Sequence, residues 1–259
     1  LGLRAFLHFD VARLFAEDYT RSTSSTRGIP YSTTFDLNNK ELLTLHKTYE
    51  AILADLNEAE TLLANDTVVN VETSPSSDYL KGRGVLFNKY AVAATKARVY
   101  YAMGNYTEAA RYAQQVLDAT SNFKLKKLSS LDDVKRYPAN GEMIFGLYND
   151  KLSSNISEMF LNATSRGNFT EARRDIEDLY DKSSLSATST DLRLTTYYRE
   201  ATAVSSGKTF SFVRFIESTA AVTNSPLKGI TLIRLPEMYY ILAEANYDTN
   251  PTKAVQYLN

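Results

Sequence analysis

The chain has 259 residues and a mass of 29.1 kDa, and 44% of its residues are hydrophobic, which is enough to build a sizeable core. Its 29 basic and 30 acidic residues give a formal charge of -1, so no long-range positive field attracts nucleic acid, and nucleic acid is excluded as an expected partner. The chain contains no cysteine, which excludes disulfides, thiolate metal sites and cysteine nucleophiles.

The first predicted element is a helix over residues 4–15, with the sequence Arg-Ala-Phe-Leu-His-Phe-Asp-Val-Ala-Arg-Leu-Phe. Almost no exposed helix carries so many apolar side chains, so this segment is expected to be a core helix. The next helix is predicted over residues 42–63, because apolar residues recur there in steps of three and four at Leu45, Tyr49, Ile52, Leu56, Ala59 and Leu63. The polar residues 65–77 then predict a surface loop.

The apolar spacing of residues 86–116 predicts two further helices, which are separated at Gly104-Asn105. The glycine is expected to end the first of them in a left-handed backbone conformation. The pair resembles a tetratricopeptide repeat, in which small residues let two antiparallel helices approach and tyrosines fill the remaining gap. The residues that carry this resemblance are Ala97, Tyr100, Gly104, Tyr106, Ala109, Ala113 and Val116.

A second helix pair is predicted over residues 235–247 and 251–259, with Asn250 as an N-cap and Pro251 at the first helical position. Between the two pairs lies a long excursion, in which residues 142–148 and 209–216 have the pattern of short strands. Its serine, threonine and asparagine content is typical of a disordered insertion. Its aromatic residues favour an ordered one, and they include Phe160, Phe169, Tyr180, Tyr197 and Tyr198.

Three segments resemble motifs of the SusD/RagB family of outer-membrane nutrient-binding lipoproteins. They are the helix over residues 4–15, the Gly28-Ile29-Pro30-Tyr31 turn, and residues 233–245 with the sequence Ile-Arg-Leu-Pro-Glu-Met-Tyr-Tyr-Ile-Leu-Ala-Glu-Ala. The resemblance implies a mostly α-helical, single SusD-like domain over residues 1–259. In that domain, tetratricopeptide-like helix pairs over residues 1–120 and 230–259 form a scaffold, and residues 121–229 form an irregular excursion with short β-strands.

Members of this family are much longer than this chain and begin with a lipoprotein signal that ends in an acylated cysteine. The resemblance therefore implies a fragment truncated at both ends, whose full-length parent is lipid-anchored in the outer membrane at the cell surface. No run of apolar residues approaches the roughly 18 that a membrane-spanning helix needs. Contact with the membrane is thus expected only through the anchor, which this chain lacks.

The sequence does not predict a catalytic site. His8 is expected to be a hydrogen-bonded structural residue of the first helix, and His46 has no partner histidine at helical spacing for a zinc site. Asp132-Asp133 and Glu177-Asp178 are sequence neighbours that usually point apart, so solvated faces or helix caps are favoured over a glycosidase pair. Gly82-Arg83-Gly84 lacks the lysine of a phosphate-binding loop and favours a helix start. We therefore expect a protein that is not an enzyme and needs no cofactor or metal.

Carbohydrate binding requires an aromatic face for the apolar side of a sugar ring, with amides, carboxylates or guanidinium groups for its hydroxyls. Most of the 18 tyrosines lie at helix-packing spacing and are assigned to the core, so the candidates come from the excursion. The predicted ligand site comprises Phe160, Asn162, Arg166, Asn168 and Phe169, joined by Tyr148 and Asn149 at the end of a predicted strand.

Three functional hypotheses remain at this stage. The resemblance implies capture of an oligosaccharide or peptide nutrient and its delivery, without bond cleavage, to a SusC-like TonB-dependent transporter. The alternative is a tetratricopeptide-type interaction scaffold that binds a peptide in a helical groove, which explains the helix pairs but not the other two motifs or the long excursion. The third, a glycoside hydrolase, depends only on the carboxylates.

Overall fold

The computed structural model describes residues 1–67, 82–125, 141–161, 170–172, 178–180, 197–203, 207–212 and 229–258. In chain order its elements are α1 (Gly2–Phe15), β1 (Arg27–Pro30), β2 (Leu42–Thr44), α2 (Leu45–Leu62), α3 (Lys89–Ala102), α4 (Tyr106–Leu117), β3 (Met143–Tyr148), α5 (Leu152–Leu161), β4 (Thr170–Ala172), β5 (Tyr198–Ala203), β6 (Gly207–Phe212), β7 (Gly229–Arg234), α6 (Leu235–Ala245) and α7 (Pro251–Leu258). The mostly helical fold predicted from the sequence is confirmed.

The chain divides into two compact units. The first, called the helical unit below, comprises Leu1–Leu125, Gly141–Gly146 and Thr231–Asn259. The second unit comprises Lys126–Asn140 and Leu147–Ile230. That the whole chain forms one domain, with the scaffold and excursion boundaries given above, stays a prediction.

Helix α3 lies at the centre of the helical unit, and every residue from 91 to 99 is buried. Five of the buried residues of this helix are alanine or threonine, which allows α2, α4 and α6 to pack closely against it. Asn88 starts the helix because its side-chain oxygen accepts hydrogen bonds from the amides of Tyr90 and Ala91, both at 3.0 Å. The helix therefore begins at Lys89 and not at residue 86 as predicted.

The predicted helix pair of α3 and α4 is confirmed. Gly104 has a φ of 72°, which a residue with a side chain rarely adopts, and the side chain of Asn105 caps α4 by accepting from the Glu108 amide at 3.2 Å. The rings of Tyr100 and Tyr112 stack between the two helices with their centroids 5.7 Å apart. Small residues and tyrosines thus join this pair in the way that the tetratricopeptide pattern predicts.

The second pair, α6 and α7, begins as predicted. Asn250 accepts a hydrogen bond from the Lys253 amide at 3.1 Å, and Pro251 is the first residue of α7. Helix α6 packs on α4 through a shared core that includes Ala113, Val116, Met238 and Leu242. Both helix pairs therefore belong to one hydrophobic core, although many residues separate them in sequence.

Helix α1 is apolar on both of its faces. Ala5 and Phe9 pack against α2, where the Phe9 ring meets Tyr49 at 89° and 6.1 Å, whereas Phe6 joins the core of α3 and α6. On the opposite side of α1, which the structure describes in full, five apolar residues are exposed: Leu3, Leu7, Val11, Leu14 and Phe15. The expectation of a core helix thus holds for one face only.

Two other predicted boundaries need correction. The helix predicted from residue 42 begins at Leu45, because Leu42–Thr44 pairs with β1 as the antiparallel strand β2. Gly82 is the N-cap of the one-turn 3-10 helix Arg83–Val85, so the helix start predicted at Gly82-Arg83-Gly84 belongs to this short helix and α3 begins later, at Lys89. The loop prediction over residues 65–77 concerns residues that, from 68 onward, lie outside the described part of the chain.

The second unit contains α5 and a three-stranded antiparallel sheet in the order β4-β6-β5. In this sheet Phe210 is buried and packs near Tyr180 and Tyr198. The strand predicted over residues 209–216 corresponds to β6, which starts at Gly207 and is described as far as Phe212. None of the described helices is long and apolar enough to cross a membrane.

Candidate functional site

The predicted ligand site falls in the second unit, and the structure describes three of its seven residues. Tyr148 is the last residue of β3 and is 40% exposed. Asn149 follows it, and its side-chain oxygen accepts a hydrogen bond from the Lys151 amide at 3.0 Å in the turn before α5. Phe160 lies in the last turn of α5. Asn162, Arg166, Asn168 and Phe169 lie outside the described residues, so this site stays a prediction.

The described part of the helical unit contains a cleft of about 330 Å³ where α1, α3 and α6 converge. We call it the three-helix cleft. Its lining is formed by Phe9, Arg13, Arg98, Tyr101, Ala102, Glu237, Tyr240, Ile241 and Glu244. Sequence reasoning did not find this cleft, although Glu237, Tyr240, Ile241 and Glu244 recur at the spacing of one helix face.

An ion pair closes one side of the three-helix cleft. The guanidinium of Arg98 donates two hydrogen bonds to the carboxylate of Glu237, both at 2.5 Å, and a third to the backbone carbonyl of Leu232 at 2.8 Å. Arg98 is only 9% exposed, and its charge lies 5.8 Å from the centre of the Phe6 ring. This bidentate geometry links α3 to α6 and fixes the wall of the cleft.

A second polar pair lies across the same two helices. Burial and a hydrogen bond to Glu244 raise the pKa of Tyr101 to about 12. The phenol is therefore protonated at neutral pH, next to the Glu244 carboxylate. Arg13 of α1 is held by Asp10 at 2.9 Å and lies 5.9 Å from the centre of the Phe9 ring. The side chain of Tyr240 is 61% exposed.

The histidines have structural partners. The Nδ1 of His8 is 2.8 Å from the carbonyl oxygen of Arg4, and its Nε2 accepts a hydrogen bond from the Ser32 amide at 3.0 Å. His46 is hydrogen-bonded to Ser22 at 3.0 Å. Among the described residues, no group of three or more histidine, cysteine, aspartate or glutamate side chains could hold a metal ion. Asp132-Asp133 and Glu177 lie outside the described residues.

Taken together, the described sites provide binding chemistry. The three-helix cleft joins aromatic rings to the exposed carboxylate of Glu244 and the exposed guanidinium of Arg13, which Asp10 holds. The aromatic side chains of the cleft can stack on the ring of a ligand, and the charged side chains can form hydrogen bonds with the ring's substituents.

Solved structures with the same fold exist, although no protein-family model and no curated protein matches the sequence. The whole chain aligns with 56% of a SusD superfamily protein from Bacteroides thetaiotaomicron, at 21% identity and a TM-score of 0.67. It also aligns in full with 52% of a SusD-like carbohydrate binding protein from Bacteroides vulgatus, at 19% identity and a TM-score of 0.64. A laminarin binding SusD-like protein matches 99% of the chain over 61% of its own length, at 19% identity and a TM-score of 0.62.

The chain thus spans little more than half the length of these structures. The alignment covers the whole chain, so the chain has the SusD-like fold.

Proposed function

We propose that this chain, which has the SusD-like fold predicted from its three motifs, belongs to a protein that binds an oligosaccharide without cleaving it. The observation that carries the proposal is the match of the entire chain to SusD-like proteins, two of which are named for binding carbohydrate or laminarin. Proteins of one fold can differ in function, so the proposal is tested at its site. In this proposal the bound oligosaccharide passes to a SusC-like TonB-dependent transporter of the outer membrane.

The proposed location is the cell surface, where a lipid anchor outside this chain would hold the full-length protein. The helical unit suits contact with a partner protein, because its two helix pairs share one hydrophobic core that holds the helices in fixed positions. The transporter is proposed to contact the helical unit, and the second unit is proposed to hold the ligand.

The ligand site proposed in the second unit comprises Tyr148, Asn149, Phe160, Asn162, Arg166, Asn168 and Phe169. Their aromatic rings suit the apolar face of a sugar, and their amides and guanidinium suit its hydroxyl groups. The exposure of Tyr148 at the end of β3, which three residues separate from the start of α5, supports a surface site there. The carboxamide oxygen of Asn149 is bonded to the turn before α5, so the donor that remains available to a sugar is its NH₂ group.

A tetratricopeptide-type scaffold that binds a peptide is the second candidate. The three-helix cleft favours it, because a groove between packed helices is a common peptide-binding surface. In this case the ligand would contact the helical unit and would not depend on the aromatic residues of the excursion.

Affinity electrophoresis of the full-length protein through gels that contain single polysaccharides, laminarin among them, separates the two candidates. Retention in one gel is expected, and it should be lost in Phe160→Ala or Phe169→Ala. Phe35→Ala is the matched control, because Phe35 is a fully exposed phenylalanine of the helical unit. Free migration in every gel, together with binding of a peptide library to the helical unit, would favour the scaffold.

A further inference from the structure

We propose that the three-helix cleft is a second, separate carbohydrate site, which takes one neutral sugar ring of an oligosaccharide. This inference rests on the proposed function, because it assumes an oligosaccharide ligand. It adds a site in the helical unit that is separate in sequence from the predicted residues 148–169.

The size and walls of the cleft suit a single ring. A volume of about 330 Å³ lies at the lower end of the range for small-molecule pockets. The floor is apolar, since Phe9 and Ile241 are 2% and 5% exposed. Tyr240 is 61% exposed, so its ring is available to stack on the C–H face of a sugar.

The charges of the cleft favour a neutral ligand. Two arginines and two glutamates line it, and three of these four side chains have an ion-pair partner within the chain. Glu237 neutralises Arg98 in a bidentate pair, and Asp10 holds Arg13. A charged ligand would meet a like charge on one wall as it approached the opposite charge on the other.

The rim also favours a hydroxylated ligand over a purely apolar side chain. Glu244 is exposed and its carboxylate offers acceptor positions, and Arg13 keeps N–H donors beyond its contact with Asp10. Sugar hydroxyls can donate hydrogen bonds to the Glu244 carboxylate and accept hydrogen bonds from the Arg13 guanidinium. An apolar side chain would remove water from both groups without replacing those hydrogen bonds.

Preorganisation supports the same conclusion. The Arg98–Glu237 pair fixes α3 against α6, so this wall of the cleft is in place before any ligand arrives. A ligand would then bind with little ordering of the side chains around it.

The test compares the full-length protein with four variants, Tyr240→Ala, Tyr240→Phe, Tyr247→Ala and Phe169→Ala, by isothermal titration calorimetry. The probes are laminaritriose and maltotriose, with a trisaccharide of glucuronate as the anionic counterpart. Tyr240→Ala should weaken binding of a neutral trisaccharide by about three- to tenfold, the typical value of one aromatic contact. Tyr240→Phe should bind like the parent, because it keeps the ring. Tyr247→Ala is the matched control, since Tyr247 is 69% exposed just after α6 and does not line the cleft.

The outcomes separate the two proposals. Neutral binding that is equal in the parent and Tyr240→Ala, but lost in Phe169→Ala, would overturn the cleft subsite and leave the proposed function standing. Stronger binding of the glucuronate trisaccharide would overturn the inference of a neutral ligand. If the parent binds none of the trisaccharides or polysaccharides, both proposals fail. Because Tyr240 is largely exposed, circular dichroism and thermal melting of its variants should match the parent.

Discussion

Replacing Asp55 with asparagine should destabilise the protein by about 2–3 kcal/mol. The Asp55 carboxylate on α2 joins two other parts of the helical unit, because it accepts from the guanidinium of Arg4 at 2.6 and 2.5 Å and from the hydroxyl of Tyr31 at 2.5 Å. Its side chain is 9% exposed, whereas that of Arg4 is 29% exposed.

The magnitude follows from these contacts. A hydrogen bond to a charged group contributes about 1.5–3 kcal/mol, so three such bonds set an upper limit near 4.5–9 kcal/mol. The net loss is smaller for two reasons: the partly exposed Arg4 regains water, and the variant no longer buries a charge. Asparagine also keeps one acceptor oxygen. About 2–3 kcal/mol remains.

The same variant has a characteristic pH dependence. Burial alone would raise the pKa of Asp55, but the hydrogen bonds from Arg4 and Tyr31 outweigh burial and lower the pKa below its usual value of 3.8. A carboxyl whose pKa is lower in the folded than in the unfolded chain contributes stability that is complete above the unfolded pKa of about 3.9. That stability is lost as the pH falls through the folded pKa. The difference between parent and Asp55→Asn should therefore be constant from about pH 5 to 7 and shrink below about pH 4.

Urea denaturation followed by circular dichroism at several pH values measures this difference. Asp36→Asn is the control, because Asp36 is an exposed carboxylate paired with Lys40, and its variant should unfold close to the parent midpoint. A difference for Asp55→Asn below about 0.5 kcal/mol at pH 7 would refute the assigned magnitude. A difference that grows as the pH falls would refute the assigned electrostatics.

Three further predictions concern the helical unit. Gly28→Ala should destabilise by about 1–3 kcal/mol in thermal melts, because its new Cβ would lie 2.2 Å from a threonine hydroxyl of α2; a melting temperature equal to the parent's would contradict this. Lys96 has a fully buried side chain that bonds Glu60 at 2.5 Å, so Glu60→Ala should cost more in urea denaturation than Lys96→Met, which removes the buried charge; the reverse order would contradict the pairing. Glu244→Gln should lower the pKa of Tyr101 from about 12 in a titration of tyrosinate absorbance, and an unchanged pKa would remove Glu244 as a cause.

Local sequence signals predicted the helix pairs well. Gly104-Asn105 and Asn250-Pro251 are short-range turn and cap signals, and the structure places helix ends at both. The start of α2 was misplaced because Leu42–Thr44 is apolar enough to continue a helical pattern. Its pairing with β1 is a contact between distant residues, which periodicity does not reveal.

The functional sites were harder to predict for a similar reason. The three-helix cleft needs Phe9, Arg98 and Tyr240 to meet, and these residues belong to helices that are far apart in sequence. Each helix shows only an ordinary amphipathic face by itself. The residue types that mark a sugar site, by contrast, can be chosen from the sequence, and the predicted site over residues 148–169 stays a prediction of that kind.

The measurement that most directly tests the central claim is calorimetric titration of the full-length protein with oligosaccharides cut from whichever polysaccharide retains it, followed by mass spectrometry of the recovered ligand. Saturable binding with every oligosaccharide recovered at its original mass is the predicted result. Recovery of shorter fragments would contradict binding without cleavage, and the absence of binding heat across all oligosaccharides would contradict carbohydrate capture itself.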